Sequence, residues 1–97
     1  MTTTATLFYP IEKRSTLAME HTIRALKAEL CDIIRGEIHV HYQDECIIVD
    51  ITNAYWSYKW VSTQDEERFI KQHDTDSLFY KIVKDYQDFI LKLYFKH

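Results

Sequence analysis

Met19, Ile23, Leu26, Leu30 and Ile33 recur at helical spacing, which puts one apolar stripe on a first helix predicted over residues 16 to 35. Ser15 or Thr16 is suited to cap its first turn, and Gly36 stands where a left-handed residue would end it. At Glu37 the period changes to two: Ile38, Val40 and Tyr42 alternate with Glu37, His39, His41 and Gln43, the signature of a half-buried strand. A tight turn at Asp44 and Glu45 would set Tyr42 opposite Ile47, Val40 opposite Val49, and Ile38 opposite Ile51. A second reversal at Asn53 and Ala54 would set Ile51 opposite Trp56, Val49 opposite Tyr58, and Ile47 opposite Trp60. Both turns keep one face apolar across three strands, whereas a one-residue slip would turn Asp50 and Lys59 inward.

Thr63, Gln64, Asp65 and Glu66 read as a capping box that starts a short helix over residues 64 to 72. Asp74, Thr75 and Asp76 make a polar break offering caps. Phe79, Ile82, Val83, Tyr86, Phe89, Ile90 and Leu93 then trace the stripe of a long closing helix. The expected fold is α+β: an N-terminal helix, a three-stranded antiparallel meander, a short helix and a long C-terminal helix, with the helices on one sheet face. With 97 residues, 46% hydrophobic and 28% charged, the chain is expected to form one domain over residues 1–97, its Thr-rich first six residues frayed.

Composition removes several functions. One glycine leaves no room for a phosphate-binding P-loop or a dinucleotide-binding G-x-G-x-x-G turn. A net charge of −3 supplies no positive field for nucleic acid. Apolar runs such as Cys46–Val49 fall far short of the ~20 residues of a membrane span. The start lacks the basic and apolar regions of a secretory leader, so the expected location is cytoplasmic. Cys31 and Cys46 have neither metal-ligand nor redox spacing and are expected as reduced thiols, one of them lining the core. The Ile, Lys and Tyr usage fits an AT-rich bacterial or phage genome.

Two chemical constellations fall on the polar sheet face. His39 and His41, with Asp50 opposite His39, are the residue types of an open divalent-metal site. Cys46, His41 and Asp50 are the types of a nucleophile, base and orienting carboxylate. With no identifiable partner to orient the imidazoles, no glycine elbow and no identifiable oxyanion donors, this face yields no catalytic, cofactor or metal residues, and the reading is non-enzymatic. A metal-dependent or nucleophilic enzyme is the alternative. Trp56, Tyr58 and Trp60 share the face of Ile47, Val49 and Ile51 and are assigned to the core rather than to base stacking.

The element order resembles in outline the double-stranded RNA-binding domain, which would imply a module reading duplex shape and phosphates. In that family basic residues open the last helix, whereas here the corresponding stretch is Asp74-Thr75-Asp76-Ser77, of the wrong sign for phosphate. The closing helix says more. Tyr80, Leu91 and Phe95 add a second apolar edge beside its stripe, to be covered by the Leu7-Phe8-Tyr9 lead or by a second copy. The function expected is a small protein-interaction or regulatory domain that self-associates, as a homodimer, through Tyr80, Leu91 and Phe95, with no cofactor and no membrane.

Overall fold

The computed structural model describes residues 11–95; the first six residues and the Leu7-Phe8-Tyr9 lead lie outside them. The order is α1 (Ile11–Ile33), β1 (Glu37–Gln43), β2 (Cys46–Thr52), β3 (Ser57–Val61), a 3-10 turn (Gln64–Glu66), α2 (Glu67–Lys71) and α3 (Thr75–Phe95). The strands form one antiparallel sheet in the order β1-β2-β3. This is the expected α+β architecture.

α1 begins five residues earlier than predicted, so Ser15 and Thr16 lie inside it rather than at its cap. Met19, Leu26 and Leu30 are buried and Ile23 packs against them, but the stripe ends on Ile34, leaving Ile33 exposed. Ile34 still donates its amide to Leu30 O at 2.9 Å, which carries the helical face one residue further. Gly36 does not form a left-handed cap. Its φ of +145° instead delivers the chain into β1 against the backbone of Thr52.

The β1–β2 register is as predicted, with Ile38, Val40 and Tyr42 opposite Ile51, Val49 and Ile47. The Asp44–Glu45 turn has positive φ at both residues, the twist a two-residue hairpin requires. The β2–β3 register differs from prediction by two residues: Ile51 faces Tyr58 and Val49 faces Trp60. Asn53 causes the shift. Its Oδ1 accepts the amides of Tyr55 and Trp56 at 2.8 and 3.1 Å, and its own amide donates to Trp56 O at 3.1 Å. The reversal therefore takes four residues, and Trp56 sits in the turn. A two-residue shift preserves side-chain parity, so the apolar face survives the change. Opposite Ile47 stands Ser62, whose amide donates to Ile47 O and whose Oγ accepts the Ile47 amide, both at 2.9 Å.

Thr63 and Glu66 form the predicted capping box: Glu66 Oε1 accepts the Thr63 amide at 2.7 Å, and Thr63 Oγ1 accepts the Asp65 amide. α2 ends in a Schellman arrangement, the His73 amide on Ile70 O and the Asp74 amide on Phe69 O, with His73 at φ 53°. Asp74 then caps α3, its Oδ1 accepting the Ser77 amide at 3.1 Å and its Oδ2 the Ser77 hydroxyl at 2.7 Å. These bonds hold the Asp74 carboxyl below its ordinary range, chiefly through the Ser77 hydroxyl.

The core lies between the sheet and the helices. Leu26, Leu30, Ile47, Val49, Ile51, Leu78 and Ile82 are sealed from solvent, each such burial being worth about 1.5–3 kcal/mol. α3 docks on β3 through an aromatic cluster in which Tyr58 lies 4.6 Å from Phe89, and Trp56 lies 5.4 Å from Phe89 and 5.7 Å from Tyr86. Trp60 is buried, and its indole N–H donates to Asp85 Oδ2 at 2.7 Å.

Two contacts orient the helices. Thr22 Oγ1 of α1 approaches His73 Nδ1, just before α3, at 3.3 Å. At the other end Gly36 abuts Thr52 and Ile51, Ile51 faces Tyr58, and Tyr58 packs on Phe89. α1 and α3 thus run in the same sense, the end of α1 beside the later part of α3.

Candidate functional site

Among the described residues the polar sheet face brings neither of the two sets of side chains together. His39 is opposite Asp50 in the register, but its Nε2 pairs with Glu37 Oε1 at 3.0 Å. His41 Nε2 is 4.0 Å from Asp50 Oδ2. Among the described residues no three His, Cys, Asp or Glu side chains are placed to share a metal ion. No hydrogen bond joins Cys46 to His41 among them either. Cys46 is half-buried and Cys31 exposed, so neither thiol lines the core; Cys46 shares its strand face with Ile48 and Asp50, away from Ile47. No described helix is long and apolar enough to cross a membrane.

The three predicted interaction residues are exposed, Tyr80 by 67%, Leu91 by 54% and Phe95 by 76%. They do not form one patch. Eleven residues of helix put Tyr80 about 16 Å from Leu91, with exposed Lys84, Gln87 and Asp88 between. Tyr80 belongs instead to a small recess with Phe69 and Lys81 near the start of α3.

Leu91 and Phe95 belong to a different feature. Phe89 is the last α3 residue stacked on the sheet aromatics, and the helix continues to Phe95, about 9 Å further. Over that overhang Leu91, Leu93, Tyr94 and Phe95 are all exposed, on different sides of the helix, and Lys92 is the one polar residue. Leu93, predicted for the core stripe, is exposed because the sheet has ended before its turn is reached. Ile33 at the end of α1 and Tyr55 in the β2–β3 turn flank the same end. Six of the ten large apolar side chains exposed among the described residues therefore gather there.

At the opposite end, Met19 and Ile23 of α1, Val40 and Tyr42 of β1, and Ile70 of α2 line a groove of about 540 Å³ that also includes Glu20 and Lys71. Its apolar character comes from stripe residues that the sheet does not fully cover.

No family model, curated protein or solved structure matches the chain. The site therefore rests on its own geometry. One electrostatic feature flanks the tip: burial, then Asp85 and Asp88, push the Tyr58 phenol from 10.0 up to about 12. The folded state thus keeps this proton where an unfolded chain loses it, and stability falls as pH rises from 10 toward 12. Urea midpoints measured across that range should fall less steeply for Tyr58→Phe than for the native chain; equal slopes would contradict the assignment.

Proposed function

We propose that the chain is a small protein-interaction domain that associates with copies of itself through the overhanging end of α3. The observation carrying this reading is the exposed apolar tip of Leu91, Leu93, Tyr94 and Phe95, which lies beyond the sheet. An apolar cluster that includes Tyr94 and Phe95, with Lys92 as its one charge among the described residues, has the composition of an interface centre rather than of ordinary surface. A domain of this length also buries a modest share of its surface alone, so association adds to its stability.

The proposed contact is Leu91 and Phe95, joined by Leu93 and Tyr94; Tyr80 stands apart from it. Sedimentation equilibrium tests the reading. The native chain is expected to exceed its 11.7 kDa monomer mass at micromolar concentration. Leu91→Lys should weaken association by about 30-fold, the effect of losing about 2 kcal/mol at an interface centre, and leave the fold intact. A native chain that stays monomeric at high micromolar concentration would overturn the proposal.

A further inference from the structure

The tip and the groove occupy opposite ends of one molecule, and their chemistry is complementary. We propose that the α3 tip of one copy seats in the groove lined by Met19, Ile23, Val40, Tyr42 and Ile70 of the next, giving head-to-tail rather than two-fold association. This inference rests on the self-association reading and names the receiving surface.

Three observations support a second copy as the occupant. The groove, at about 540 Å³, falls within the roughly 300–1,000 Å³ of clefts that hold ligand-sized apolar groups, ample for the Leu91 and Phe95 side chains. The charges bear on the fit as well: Lys92 is the one cation among the described residues of the tip, and the groove holds the acid Glu20 beside His41, His73 and Lys71, the last with its ammonium paired to Glu67 Oε1 at 2.8 Å. Neither Lys92 nor Glu20 takes part in an ion pair among the described residues. Finally, α1 and α3 run in the same sense, so tip and groove point away from each other along the helix axes. A tip entering the next groove leaves that copy's own tip free, so the contact repeats instead of closing.

Two single variants separate this arrangement from its competitors. Leu91→Lys removes the tip and keeps the groove. Tyr42→Lys places a cation in the groove, at a side chain already 42% exposed, and keeps the tip. Each variant alone is expected to be folded by circular dichroism and to associate at least ten-fold more weakly than the native chain. An equimolar mixture should form a 1:1 dimer and stop there, because one good tip meets one good groove, whereas the native mass should climb past the dimer with concentration. A native chain that dimerises and is undisturbed by Tyr42→Lys has a tip-to-tip contact, which overturns the head-to-tail proposal alone. The same proposal falls if Tyr42→Lys lowers the urea midpoint while association is unchanged, since the groove then holds the chain's own Leu7-Phe8-Tyr9 lead. A mixture that remains monomeric also overturns it. A monomeric native chain ends the broader reading as well.

Discussion

Replacing Trp60 by Ala is expected to cost about 3–5 kcal/mol, the range for deleting a large aromatic side chain from a core. The side chain is 4% exposed, faces Val49 across the ladder, and anchors Asp85 of α3 through its indole N–H. Its removal therefore opens a cavity between sheet and helix and takes the indole donor from Asp85, which keeps Lys81 Nζ at 3.8 Å. Against a total stability of about 5–15 kcal/mol for a domain, the loss is a large fraction. Urea unfolding should show a midpoint far below native, with Trp60→Phe in between because part of the ring volume is kept while the hydrogen bond is lost. A shift under 1 kcal/mol would mean that the β3 register or the packing of α3 on it is wrong.

Gly36→Ala is expected to destabilise the domain by at least about 2 kcal/mol. A φ of +145° is open to glycine and strained for other residues, at of order 1–3 kcal/mol. An added Cβ would also lie 2.9 Å from Thr52 O, a backbone atom that can retreat only by disturbing the Glu37–Thr52 rung. Arg35→Ala, one residue away and exposed, serves as the control and should fall within about 0.5 kcal/mol of native. Equal midpoints for the two variants would exclude the strained junction.

How far the sequence could be read depended on which signals were local. The alternation of Ile38, Val40 and Tyr42 against Ile47, Val49 and Ile51 carries its own register, because the turn between them has two residues and parity leaves one solution. The next hairpin offered the same apolar face, but Asn53 could be read as the first residue of a short turn or as the start of a four-residue one. Only the backbone amides of Tyr55 and Trp56, both captured by its side chain, decide between them. Ser15 and Thr16 look like caps because hydroxyl side chains compete for backbone bonds, yet the helix propagates through both. Leu78 is fully buried and escaped the predicted stripe although it stands four residues before Ile82. The tip was half legible: Leu91 and Phe95 could be picked as apolar residues off the stripe, but joining Tyr80 to them needed a continuous edge that Lys84, Gln87 and Asp88 interrupt. That the sheet stops at Phe89 depends on the β2–β3 register, so exposure of Leu93 could not be foreseen. The groove joins α1, β1 and α2, a long-range arrangement that periodicity does not reveal.

The overhang of α3 also changes what an affinity for this surface would measure. A helix end that runs past the last residue stacked on its sheet sits at the low end of local stability, where adding or losing a turn is close to balanced. Capture of that end by any partner completes the helix and buries the tip in one event. The observed binding constant then contains a helix–coil equilibrium besides the contact itself. Temperature and helix-promoting cosolvents would consequently tune the association of this chain even where they leave the interface chemistry untouched.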